Sequence, residues 1–98
     1  MNACVSKILA ALGFLVVVLG MNSPAMAGPT CTTKPQGEWL SPEQMKERIV
    51  QMGYRDIRTF KITDRNCYEI YGVDKDGRRA EVYFNPVDGQ IVREKIGR

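Results

Sequence analysis

The sequence predicts an α+β fold: one N-terminal helix packed on one face of a four-stranded antiparallel β-meander. Three observations carry that expectation. A full set of helix start and stop signals brackets residues 41–53. From Asp56 onward the apolar residues change from a helical to an alternating period. The alternating segments are joined by turns so short that neighbouring strands must run antiparallel. A chain of 98 residues has room for one domain.

The first stretch, Met1–Ala27, reads as a secretory signal peptide. Lys7 supplies positive charge, and Ile8–Gly20 is an uncharged apolar run broken by Asn22, Ser23 and Pro24. Ala25-Met26-Ala27 gives the small-x-small pattern for cleavage before Gly28. A retained membrane anchor needs about 20 apolar residues. The run here has 13. Cys4 precedes the run, so a lipoprotein attachment site is not expected. The expected organisation is a signal peptide over 1–27, an extended lead-in over 28–40 and an α+β domain over 41–98. The expected location is periplasmic or secreted, with no stable membrane insertion after cleavage.

With Cys4 removed, Cys31 and Cys67 are the only cysteines, in an oxidising compartment. A Cys31–Cys67 disulfide is expected. The alternative, a reactive thiol, has neither a C-x-x-C motif nor a histidine to activate it.

Gly28–Gly37 is rich in Gly, Pro and Thr and reads as the extended lead-in, with Trp39 and Leu40 after it. The helix then begins sharply. Ser41 is the N-cap, Pro42 takes the first helical position, and Gln44 at the third completes a capping box. Leu40 and Met45 stand at the two hydrophobic-staple positions. Met45, Ile49 and Met52 form one apolar stripe, with Glu43, Lys46, Glu47 and Arg48 on the wet side. Gly53 ends the helix as a C′ glycine, and Tyr54 is placed to fold back on Ile49. The helix is expected over Pro42–Met52.

Strands are expected over Ile57–Thr63, Cys67–Val73, Arg79–Phe84 and Gln90–Ile96. They are separated by Asp64-Arg65-Asn66, Asp74-Lys75-Asp76-Gly77 and Asn85-Pro86-Val87-Asp88-Gly89. Alternation puts Phe60, Ile62, Tyr68, Ile70, Ala80, Val82 and Phe84 on the face covered by Met45, Ile49 and Met52. The opposite face carries Cys67, Glu69, Tyr71, Val73, Glu81 and Tyr83.

These elements resemble the PepSY domain family across Leu40–Arg93. The resemblance rests on Leu40-Ser41-Pro42-Glu43-Gln44, on Gly53-Tyr54 with Ile57 after it, and on Tyr68-x-Ile70. It continues through Asp76-Gly77-Arg78 and Val82-x-Phe84-Asn85-Pro86 into Asp88-Gly89-x-Ile91. It implies a small exported, non-enzymatic module. Some such modules are inhibitory pro-segments of secreted peptidases; others stand alone in the cell envelope. The two cysteines and the Trp39 lead-in depart from the family pattern and suggest a stand-alone member. No protease follows in this chain, so inhibition would act in trans.

The residues offer little else. There is no histidine, which excludes Ser-His-Asp and Cys-His catalysis and imidazole metal sites. A net charge of +3 is small for a nucleic-acid binder, and no nucleic-acid partner is expected. Asp74-x-Asp76-Gly77 resembles the opening of a calcium loop, but the twelfth position is Asn85 rather than Glu, so a polar hairpin turn is the expectation. No metal and no cofactor is expected.

Lys75, Arg78 and Arg79 form a candidate basic hairpin, offset locally by Asp74, Asp76 and Glu81. Tyr71, Val73 and Tyr83 form a candidate binding face with three readings. The aromatics stabilise the sheet, they form a binding surface, or the lead-in with Trp39 covers them. The only serine after residue 27, Ser41, is committed as a cap. The expected function is binding or regulation of a protein partner in the bacterial envelope, with a peptidase as the class the resemblance names. A small-ligand or ion-binding envelope protein is the alternative.

Overall fold

A computed structural model of the chain describes residues 28–97. The segment read as a signal peptide lies outside the described residues. Among the described residues, one turn of 3-10 helix (Gln36–Glu38) precedes the one α-helix, α1 (Pro42–Gln51). Four strands follow: β1 (Arg55–Ile62), β2 (Tyr68–Val73), β3 (Arg79–Phe84) and β4 (Ile91–Ile96). The sheet is an antiparallel meander in the order β1-β2-β3-β4. The helix is therefore mid-chain, not N-terminal: a lead-in with its own 3-10 turn precedes it.

The helix forms where its caps place it. Gln44 N–H donates to the Ser41 hydroxyl at 3.1 Å, and Ser41 N–H donates to Gln44 Oε1 at 2.9 Å. Two of the backbone donors at the helix start are satisfied by one reciprocal pair. At the far end Gly53 has φ 99°, a conformation that costs a side-chain-bearing residue free energy. Gly53 N–H donates to Val50 O and Tyr54 N–H to Ile49 O, which closes the last turn.

The core lies between α1 and one face of β2 and β3. Met45, Ile49, Tyr54, Tyr68, Ile70, Ala80, Val82 and Phe84 are buried together, with Trp39, Leu40 and Phe60 packed at the margin. Each large apolar side chain buried this way contributes about 1.5–3 kcal/mol. Two expected core residues stay outside. Ile62 is 47% exposed. It sits on an edge strand, where a side chain has a neighbouring strand on one side only. Met52 is likewise exposed, because it caps α1 beyond the last residue that faces the sheet. Tyr54, two residues on, is the residue buried at that end.

The first half of β1 does not alternate. Its register with β2 shifts between Arg55 and Thr59, and Asp56 has φ 51°. Gly72 on β2 accommodates this bulge. A Cβ there would lie 2.7 Å from Ile57 Cδ1 and 3.0 Å from the Arg55 carbonyl.

The lead-in is tied to the sheet at both ends. Cys31 and Cys67 are disulfide-bonded, with Cα atoms 5.0 Å apart. Cys31 N–H donates to Arg65 O, and Asn66 Nδ2 to Thr32 O. Farther on, Leu40 N–H donates to Pro86 O at 2.8 Å, and the Tyr68 hydroxyl donates to Leu40 O at 2.7 Å. Trp39 meets Tyr68 edge-on with ring centres 5.8 Å apart. Tyr68 belongs to the helix-covered face. Trp39 thus packs on the side opposite to that expected of a cover for Tyr71 and Tyr83.

Candidate functional site

The face not covered by α1 is an ordered grid set by strand register. One row runs Lys61, Glu69, Tyr83, Arg93 from β1 to β4; the next runs Thr59, Tyr71, Glu81, Lys95. Cross-strand neighbours on one face touch, so register alone brings these side chains together. They line an open basin of about 930 Å³ whose floor holds Glu69, Glu81, Tyr71 and Tyr83, with Lys61 and Lys95 beside them.

Glu81 is the hub. Its Oε2 accepts from the Tyr71 hydroxyl at 3.0 Å and from the Tyr83 hydroxyl at 2.8 Å. Lys95 Nζ lies 3.6 Å from its other oxygen. Glu69 is only 4% exposed, and Lys61 Nζ lies 3.7 Å from it. Burial pushes the Glu69 carboxyl above its ordinary value, and a hydrogen bond with Glu81 pushes the same way. Burial alone would raise Glu81 too. The hydrogen bonds from Glu69, Tyr83 and Tyr71 and the Lys95 charge outweigh it and hold Glu81 at about 2. The two carboxyls are thus pushed in opposite directions, Glu69 up and Glu81 down. Burial and the bond to Glu81 raise the Tyr83 hydroxyl, so both tyrosines remain neutral donors.

Of the candidate binding face, Tyr71 and Tyr83 meet at Glu81. Val73 is half-buried at the far end of β2, paired with Arg55 and Arg79, and takes no part in the basin. The lead-in covers part of this face. A Cβ on Gly28 would lie 3.4 Å from the Tyr83 ring, and Tyr83 is half-buried. Tyr71 remains 43% exposed. The lead-in screens Tyr83 only, and it does so through Gly28 rather than Trp39. Alternation assigns Glu69 and Glu81 to this face but does not predict that they meet. The signal was present: two carboxylates at positions that a tight hairpin sets diagonally across β2 and β3.

The basic hairpin does not form a cationic cluster. Arg78 Nη2 lies 2.9 Å from Asp74 and 3.4 Å from Asp76, and Lys75 lies 3.6 Å from Asp76. Arg79 points along the open face opposite Val73 instead. Asp74 is buried and closes the turn, accepting from Asp76 N–H, Arg78 N–H and Arg78 Nε. The Arg78 N–H is the chief cause holding its carboxyl below the usual value. With both oxygens engaged, the turn is a polar hairpin rather than a calcium loop. Among the described residues no group of three or more His, Cys, Asp or Glu is placed to hold a metal ion. Among the same residues no helix is long and apolar enough to cross a membrane.

The model of the peptidase propeptide and YPEB domain family (PepSY_2) matches residues 9–95. The chain belongs to this family. PepSY domains are usually propeptide or regulatory modules and generally non-catalytic. No curated protein and no solved structure matches the chain.

Proposed function

We propose that this PepSY domain is an exported, non-enzymatic module that binds or regulates a protein partner in the bacterial envelope, with a peptidase, acting in trans, as the leading partner class. The observation that carries the reading is the open sheet face. Tyr71 is exposed there beside a basin of paired charges, and the helix covers only the other side. Aromatic rings ringed by polar groups are the composition of protein-binding patches. Export is supported by the apolar Ile8–Gly20 run with its Ala25-Met26-Ala27 end and by the disulfide.

A panel of secreted peptidases assayed with the protein tests the reading. Inhibition that is lost in Tyr71→Arg is the expected result. Absence of inhibition across the panel, together with envelope capture that Tyr71→Arg leaves unchanged, overturns it. The basin also favours a second reading, a small-ligand binder, because its volume falls within the usual 300–1,000 Å³ of ligand sites. A rise in melting temperature with a small polar ligand, abolished by Glu69→Gln, distinguishes that case.

A further inference from the structure

Every residue of strand β4 is exposed, Ile91 and Ile96 among them. The strand borders the sheet: among the described residues it pairs with β3 only. Register sorts its side chains. Ile91, Glu94 and Ile96 stand opposite Phe84, Val82 and Ala80, on the helix side. Arg93 and Lys95 stand opposite Tyr83 and Glu81, on the open face. Glu94, the only acid of the strand, is thus turned away from its two cations and accepts from the Tyr54 hydroxyl.

Register also shows which backbone groups are free. Gly97 N–H donates to Arg79 O. Hydrogen-bonded pairs alternate in an antiparallel ladder, so Lys95 and Arg93 also turn their backbone groups toward β3. The N–H and C=O of Glu94 and Ile96 therefore point outward. A strand laid antiparallel along this edge would hydrogen-bond to those two residues. Its residues opposite Arg93 and Lys95 would form the closer, non-hydrogen-bonded pairs, with their side chains on the open face.

We propose that the outer edge of β4 docks an extended segment of a partner protein that carries two acidic residues two positions apart, flanked by apolar ones, and adds antiparallel to the sheet as a fifth strand. Charge selects the acids, because each would lie on the same face as Arg93 or Lys95 and directly opposite it. Among the described residues Arg93 has no carboxylate within ion-pair reach, and Lys95 has only Glu81, at 3.6 Å. Arg79 adds a third cation, lining with Lys95 an open hollow of about 300 Å³. Glu81, the one acid there, is already engaged by Tyr71, Tyr83 and Lys95. The flanking apolar residues fall on the helix side, beside Ile91 and Ile96. The same charges oppose a second copy of the chain. Antiparallel self-pairing centred on Arg93, Glu94 or Lys95 sets Arg93 against itself, Arg93 against Lys95, or Lys95 against itself. Pairing with the β1 edge of another copy sets Lys61 opposite Arg93 or Lys95. The inference rests on β4 alone and stands whether or not the Tyr71 face binds a peptidase.

The test uses the 15N-labelled protein with its disulfide intact and three synthetic peptides. The first is acetyl-Thr-Val-Glu-Thr-Glu-Val-Thr-amide, the second carries Lys in place of both Glu, and the third is the first N-methylated at the threonine between the glutamates. The acidic peptide should shift the amides of Arg93–Ile96. At about ten times its Kd it should slow hydrogen exchange at Glu94 and Ile96 by about tenfold. The lysine peptide should bind at least about tenfold more weakly. N-methylation should abolish binding, because that N–H would meet the Glu94 carbonyl. Arg93→Glu, an exposed position outside the core, should weaken the acidic peptide by at least about threefold and strengthen the lysine peptide. The proposal is overturned if about millimolar acidic peptide gives no shifts, or gives shifts confined to Thr59–Ile62 or to Tyr71 and Tyr83. It is equally overturned if the acidic and lysine peptides bind alike, if the N-methylated peptide binds as well as the parent, or if Arg93→Glu leaves both affinities unchanged.

Discussion

Glu69 is a buried carboxyl on the otherwise open face of the sheet. Its folded value is raised above the ordinary 4.5, so its contribution to stability is full below pH 4.5 and is lost as pH rises through the folded value. Glu81 has the opposite sign. Held at about 2 against an ordinary 4.5, it contributes above pH 4.5 and loses that contribution as pH falls toward 2. Glu69→Gln removes the group whose ionisation carries the dependence above pH 4.5. Urea unfolding across a pH series should show the wild type losing stability above pH 4.5, while Glu69→Gln stays flat there. Both proteins should weaken below pH 4.5, where Glu81 takes up a proton. Equal slopes for the two proteins above pH 4.5 would show that Glu69 ionises freely in the fold.

Among the elements, α1 was the most legible, because its signals are local. A capping box needs only Ser41, Pro42 and Gln44 in order, and each bond joins residues three apart. Ser41→Ala should remove the bond to Gln44 N–H and lower unfolding free energy by about 1 kcal/mol, with peptidase inhibition or partner binding unchanged. Loss of function at unchanged stability would give Ser41 a role beyond the cap. The strands were legible where they alternate. In β3, Ala80, Val82 and Phe84 are buried in turn. The start of β1 was not: the strand begins at Arg55 rather than the expected Ile57, and a bulge breaks its period. Strand β4 has the apolar content of a half-buried strand, yet every residue is exposed, since α1 does not extend over that edge.

At the scale of the whole molecule, the lead-in links the two faces. Cys31 is held at Cys67 with Gly28 against Tyr83, whereas Trp39 is held on Tyr68 on the helix side, its Nε1 donating to Lys34 O. These two anchors are independent, and reduction should separate them. With the cysteines 36 positions apart in sequence, breaking the bond should cost about 4 kcal/mol in the chain-entropy account. Below the lowered unfolding midpoint, the fluorescence of Trp39, the sole tryptophan, should keep its native maximum. The Tyr83 ring should become more accessible over the same range. A tryptophan spectrum that shifts to the solvent-exposed form on reduction alone would show that the disulfide, not Tyr68, seats the indole. Thiol titration of the oxidised Gly28–Arg98 protein should find no free thiol.

The order of the elements, the caps, the two faces of β2 and β3 and the pairing of the only two cysteines after residue 27 were determined by the sequence by itself. Each depends on residues close in the chain or on a count with one outcome. Three things were decided only by the tertiary structure. Trp39 turns to the helix side because Tyr68 and the Pro86 carbonyl receive that segment, and nothing within Gly28–Leu40 indicates which face it will meet. Lys75 and Arg78 cease to be a free cationic patch because the tight turn aims Asp74 and Asp76 at them. The Glu69 carboxyl is pushed up and that of Glu81 down because the register of β2 on β3 buries Glu69 and aims both tyrosine hydroxyls at Glu81. Strand alternation assigns a side chain to a face, but only the packed sheet sets its neighbours and its exposure to water, and those govern its charge.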